Sequence, residues 1–202
     1  MILLSFLFSS ISSLAHQPSR GAIHGILGPV FFRNHMISTR EPDRSNFAGL
    51  SLVAEGDVDE NGGLEIGFSY MPQEYTLIER GLVNREMVKR IYMTMGYRHW
   101  INPNYSLGLS FFSAYSMGEP KMVHTDFTGP RPASSAEDIA EYGFEFSVQR
   151  EAFQVGRLSA IFDARYSLSV TSKKGEDSNF YGIFIGLKYL IQDKMKGVAP
   201  PW

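Results

Sequence analysis

Eight charged residues stand at one parity of stretches whose other parity is apolar: Glu55, Glu65, Arg90, Arg98, Glu145, Asp163, Arg165 and Lys188. Side chains alternate across an extended strand, so one parity means one face. Four acids and four bases enclosed together can pair, or they can line a path for ions. A crowded interior favours pairing, because a buried charge without a partner is costly. The histidines offer less. His24 and His99 lie near the same end of their stretches, and His35 falls in a polar connection. Val123-His124-Thr125-Asp126 holds the one close His/Asp pair, and two ligands are too few for a metal. No Ser/His/Asp set has a defensible spacing, so no catalytic residue, metal ligand or cofactor-binding residue is assigned. Every glycine fits a strand or a turn, which leaves no phosphate-cradling motif.

Strands are what must position these charges. Asn179–Ile191 reads NFYGIFIGLKYLI, with Tyr181, Ile183, Ile185, Leu187, Tyr189 and Ile191 at one parity. Phe180, Gly182, Phe184, Gly186 and Lys188 take the other. An apolar stripe with a tyrosine near each end suits a membrane-crossing strand, hydrocarbon in the middle and amphipathic rings at the interfaces. The pattern recurs in Phe47–Glu55, Leu64–Tyr70, Arg90–Arg98, Tyr105–Tyr115, Tyr142–Gln149 and Leu158–Leu168. Gly21–Arg33 is less regular, and Gly28-Pro29 predicts a bulge or kink that switches faces. The tyrosines Tyr70, Tyr97, Tyr105, Tyr115, Tyr142, Tyr166, Tyr181 and Tyr189 then form an aromatic belt.

Connections alternate in length. Asp57–Gly62, Ile101–Asn104 and the turn near Glu151–Gly156 are short. Asn34–Ser45, Pro72 to about Met87, about Met117 to Asp138, and Thr171–Ser178 are longer. All long loops at one end is the organisation of an outer-membrane barrel, with short periplasmic turns and longer external loops. The fold class predicted is all-β, an eight-stranded antiparallel up-and-down transmembrane β-barrel. The rival is a soluble lipocalin-like barrel, secreted or periplasmic, with Leu50, Phe68, Phe144, Ile183 and Ile185 lining a cavity for an apolar ligand.

Bulk properties agree with one domain. The chain has 202 residues and net charge −2, so no basic footprint points to nucleic acid. Aromatics at 13% and 19 glycines suit many strands and turns, and the lack of cysteine removes disulfide and thiolate-metal frameworks. Met1–Leu14 runs from apolar to Ser-rich, and Ser13 and Ala15 offer the small residues of a signal-peptidase site. Residues 1–15 are therefore expected to be a cleaved signal and 16–202 the barrel. Strands occupy about 21–191 and a short tail 192–202. No segment has 18 uninterrupted apolar residues, so no transmembrane helix is expected.

The strand pattern, the loop alternation and Gly–aromatic strands such as GLEIGFSY and FYGIFIGLKY resemble the small eight-stranded outer-membrane proteins of Gram-negative bacteria, the OmpA transmembrane domain and OmpX type. The resemblance covers about Gly21 to Ile191. It implies an outer-membrane location, lipid and lipopolysaccharide neighbours, insertion by the barrel-assembly machinery, and a structural or surface-interaction role. Tyr181, Ile183, Ile185, Leu187 and Tyr189 are similar to the signal that machinery reads. Unlike most relatives, the chain continues past this strand and ends in Pro200-Pro201-Trp202. Small barrels of this kind also include channels and lipid-modifying enzymes, but no residue here places a nucleophile or base at the outer rim.

Two finer expectations follow. Glu55, Glu65, Arg98 and Lys188 should form a neutral plug near the periplasmic end, with Arg98 bridging both glutamates. Arg90, Glu145, Asp163 and Arg165 should form a second neutral set further out. The loop Gly118–Asp138, with Lys121, His124, Phe127, Arg131 and three prolines, is either a stiffened recognition surface or a loose tip.

Overall fold

The computed structural model describes residues 18–34, 46–129, 140–171 and 179–193. The expected signal segment, the first long connection with His35, the prolines Pro130 and Pro132 with Arg131, and the tail ending in Trp202 lie outside them. Among the described residues nine strands follow in order: β1 Ile23–Asn34, β2 Asn46–Asp57, β3 Gly62–Glu79, β4 Leu82–Asn102, β5 Tyr105–Ser116, β6 Lys121–Thr125, β7 Glu141–Val155, β8 Leu158–Ser169 and β9 Phe180–Gln192. Every pairing is antiparallel. Eight strands close a ring, because β9 pairs back onto β1 (Leu27 opposite Leu187) and β3 pairs with β4. β6 stands outside the ring, against the outer part of β4.

Alternation sets the two surfaces. In β7 and β8 inward and outward residues exchange one for one along the spanning part. Leu50, Phe68, Phe144, Ile183 and Ile185 point outward, between 38% and 55% exposed. A soluble ligand carrier would hide those side chains in its cavity, so the lipocalin-like arrangement is ruled out by this face assignment. All eight belt tyrosines also point outward. Tyr97, Tyr105 and Tyr189 lie toward the end with the turns Val58–Asn61, Pro103–Asn104 and Gly156–Arg157. Tyr70, Tyr115, Tyr142, Tyr166 and Tyr181 lie toward the other. Between the two rows the outward positions of the described residues carry no charge. A band of this composition is stable against hydrocarbon and unstable in water.

Three strand-level expectations are corrected. Gly28-Pro29 does not switch faces: β1 keeps one register against β2 from Ile23 to Arg33, with Gly28 inward and Pro29 outward. Both parities of β1 are apolar because Ile26, Val30 and Phe32 belong to a core inside the barrel. That core also holds Val53, Met71, Tyr92, Phe112, Ile161, Phe180 and Phe184. Pro72 to Met87 is not a loop. β3 and β4 run on past the barrel, in register to Glu79 opposite Leu82, and turn at Arg80-Gly81. Both turn residues have positive φ, 53° and 83°, the backbone a two-residue hairpin requires. The third long connection holds β6, and β7 extends to Val155 through a bulge between Glu151 and Phe153.

Candidate functional site

The inward positions near the middle of the barrel carry a connected charge cluster. Arg98 of β4 is 1% exposed. Its Nε donates to Glu65 Oε2 at 2.8 Å and its Nη2 to Asp163 Oδ2 at 3.2 Å. Ser106 and Ser147 accept from the same guanidinium at 3.2 and 3.0 Å, so the fork is used on three sides. Asp163 is shared. Arg165 donates to it from Nη2 at 2.9 Å and reaches Glu145 Oε1 at 3.3 Å through Nη1. Glu65 Oε1 accepts from Ser110 at 3.1 Å. Arg165 also lies 4.7 Å from the Phe184 ring centroid, which joins the ionic layer to the apolar core. Charge-assisted bonds of this length are the strong class, and two arginines suit a buried site because each offers several donors in a fixed plane.

A second cluster lies toward the periplasmic end. Lys188 Nζ is 3.1 Å from Glu55 Oε2 and 3.7 Å from Glu151 Oε2, and it sits 4.8 Å from the ring of the buried Trp100. His24, Glu151 and Lys188 line a cavity of about 120 Å³ at this mouth, with Ser19, Arg157 and Asp193. A third pair caps the apolar core toward the outside. Arg90 Nη1 lies 3.0 Å from Glu141 Oε2, both side chains fully buried, with Tyr75 5.3 Å away.

This grouping differs from the two sets expected. Arg98 does not bridge Glu55 and Glu65; it joins Glu65 to Asp163, and Glu55 belongs to Lys188. Arg90 stands apart from Glu145, Asp163 and Arg165. The four-to-four balance also fails, because Glu141 and Glu151 are inward and complete two of the pairs. Both were legible from parity. They continue the inward odd positions 143, 145, 147 and 149 at either end of β7, and β7 is longer than its apolar stretch.

The remaining chemistry-bearing residues are scattered. His99 points outward at the periplasmic end and His24 is buried in the lumen. Outside the membrane-spanning strands, His124 Nε2 lies 3.0 Å from Asp126 Oδ1. The Asp126 carboxyl is held below the usual carboxylate range, first by the Val83 N–H that donates to it and then by His124. Asp126 thus pins the third outer connection to the hairpin tip. In the turn after β2, the Asn61 N–H holds the Asp59 carboxyl low in the same way. Among the described residues no three His, Cys, Asp or Glu side chains gather as a metal site.

No protein-family model matches the chain. No curated protein matches it either. Among solved structures it is similar to the outer membrane protein OprG from Pseudomonas aeruginosa, at 9% identity and a TM-score of 0.60, over 89% of this chain and 99% of that one. It is also similar to Ail, the attachment invasion locus protein of Yersinia pestis, at 14% identity and a TM-score of 0.48, over 85% and 99%. The likeness to OprG is one of fold, and the apolar exterior between two tyrosine rows supplies what identity does not. The chain has the eight-stranded antiparallel barrel fold of the small outer-membrane proteins, and that exterior belongs to a protein of the bacterial outer membrane.

Proposed function

We propose that this barrel is a closed outer-membrane protein, sealed by buried ion pairs and acting through surface contacts of its outer strands and loops, without chemistry of its own. The observation that carries this reading is the filling of the lumen. From the periplasmic end outward come Lys188 with Glu55 and Glu151, then Arg98 and Arg165 with Glu65, Asp163 and Glu145. The aromatic core stands alongside and above, and Arg90 with Glu141 closes it. An eight-stranded barrel has an interior just wide enough for side chains, and these side chains occupy it in ionic and apolar layers.

The same reading includes a signal segment removed near Ala15, insertion by the barrel-assembly machinery, and lipopolysaccharide among the lipid neighbours. Planar-bilayer recording tests the seal. The wild-type protein is expected to show no steady conductance, and Arg98→Ala to show leak events. A large, stable wild-type conductance would mean an open lumen and would overturn the sealed reading. Fractionation tests the location, and recovery in a detergent-free soluble fraction would overturn it.

A further inference from the structure

The cavity at the periplasmic mouth is bounded by the last ion pair of the lumen, and the charges there do not balance. Lys188 Nζ lies 3.1 Å from Glu55 Oε2 and 3.7 Å from Glu151 Oε2. The first distance is a hydrogen bond and the second is too long for one. Two buried carboxylates thus share one ammonium, and Glu151 has the weaker share. Glu151 is 4% exposed and lines the cavity, and among the described residues its Oε2 accepts no hydrogen bond. A third carboxylate, Asp57, is buried at the same mouth, where the Ser19 N–H donates to it at 2.9 Å. His24 shares the wall, and an imidazole is mostly uncharged at neutral pH. At the rim the exposed Arg157 and Asp193 offset one another in charge. A buried carboxylate without its full set of donors is costly, so the group this cavity lacks is a cation.

The lining decides which cation. A bare divalent ion needs several oxygen ligands at bonding distance, and among the described residues no three His, Cys, Asp or Glu side chains gather as a metal site. An ammonium needs only acceptors within hydrogen-bond reach, and the Glu151 carboxylate and the hydroxyls of Ser19 and Ser159 supply them. Ala22 and Leu190 add apolar wall, which suits methylene groups. The volume of about 120 Å³ is that of about four water molecules, enough for an ammonium on a short alkyl stem. Asp193, exposed at the rim, suits a second ammonium at the far end of such a chain.

We infer that the periplasmic mouth is a binding site for a short aliphatic diamine, with one ammonium held by Glu151 and the other by Asp193. The site goes beyond the surface role proposed above and lies at the opposite end of the barrel. It needs no opening of the lumen, because the bonded pair of Lys188 and Glu55 lies beneath it. The outer-membrane reading enters only in naming the compartment that supplies the amine. An anion fits the same space less well. Lys188 already serves two carboxylates, which leaves an anion the exposed Arg157 and a wall that carries Glu151.

The test uses the full-length protein refolded in detergent micelles and titrated with 1,5-diaminopentane, with pentanoate or with magnesium chloride at constant ionic strength. NMR follows the amides of Ser159 and Leu190 and the indole N–H of Trp100, whose ring lies 4.8 Å from Lys188 Nζ. The diamine is expected to shift these signals saturably, and pentanoate and magnesium are expected not to. Glu151→Gln keeps the shape and removes the charge, and should weaken the diamine about tenfold, the worth of one hydrogen bond to a charged group. Asp193→Asn, at an exposed position, should weaken it about threefold and leave pentylamine unaffected. Heat-dependent gel mobility confirms that each variant is folded, and Asp193→Asn decides the matter alone if Glu151→Gln does not fold. Saturation by pentanoate would place an anion at the site and overturn the inference. Saturation by magnesium, no saturable shift with the diamine, or undiminished affinity in the folded variants would overturn it as well.

Discussion

Removing the Arg98 guanidinium should reveal which acid depends on it. Arg98 holds Glu65 at 2.8 Å and Asp163 at 3.2 Å, with two serine hydroxyls completing its donors. In Arg98→Ala the two acids are not stranded equally. Asp163 keeps Arg165 at 2.9 Å, whereas Glu65 keeps only the Ser110 hydroxyl at 3.1 Å. Breaking a buried ion pair by deleting one partner costs about 3–5 kcal/mol, most of it the penalty on the charge left behind. Arg98→Ala should therefore lose about 3 kcal/mol, and adding Glu65→Gln should return about half of that. Adding Glu55→Gln should return much less, because Glu55 has its own partner in Lys188 at 3.1 Å. The assay is urea unfolding of the barrel refolded in lipid vesicles, followed by heat-dependent gel mobility and by emission from Trp100. The pairwise term comes from a double-mutant cycle. Rescue by Glu55→Gln equal to that by Glu65→Gln would refute the assignment of partners.

Two other outcomes follow from the same geometry. Ile185→Arg, outward in β9 near mid-membrane, should cost about 2–4 kcal/mol in vesicles, while Ser110→Arg, inward and 2% exposed, should fail by crowding whatever the lipid thickness. Equal tolerance of Arg at Ile185 and at the exposed turn residue Glu119 would count against the face assignment. The Asp126 contact should respond to acid. Its carboxyl is held low by Val83 and His124, so the stabilisation is complete above the ordinary aspartate range and is lost as pH falls through the lowered value, below about pH 4. The protection factor of the Val83 amide, corrected for intrinsic exchange, should fall there, and Asp126→Ala should lack both that protection and the acid step.

Much of the fold was legible because a lipid-facing strand leaves its mark at every second residue. β7, β8 and β9 alternate so regularly that their faces need no structure to assign. The misreadings occur where that contrast vanishes. β1 carries apolar residues at both parities because Phe32 meets Phe180 inside the barrel, with ring centroids 5.7 Å apart, while Phe31 meets lipid outside. A lumen with an apolar layer therefore erases alternation without breaking the strand. The projecting hairpin was lost for a different reason. Above the membrane its outward residues no longer need to be apolar, so Pro72 and the charges beyond it resemble a loop although the β3–β4 pairing continues through them.

Partner choice inside the lumen was harder to read, for a reason that lies in barrel geometry. Parity says which side chains point inward, but strands tilt, so an inward residue meets partners displaced along the axis and across the ring. Glu55 and Glu65 are directly paired on neighbouring strands, yet they belong to different clusters. The residue that directs Arg98 is a glycine. Arg98 is paired on one side with Gly63 and on the other with Gly108. A Cβ at Gly108 would lie 3.1 Å from Arg98 Nη2, and would collide with the Ser147 hydroxyl on its far side. The missing side chain opens a passage across β5, through which the guanidinium reaches Ser147 on β7 and Asp163 on β8. An inward arginine opposite an inward glycine thus points past that glycine. Gly63 would by that rule open the β2 side as well, and it is the bond of Nε to Glu65 that leaves Nη2 facing the Gly108 passage and Asp163 rather than Glu55.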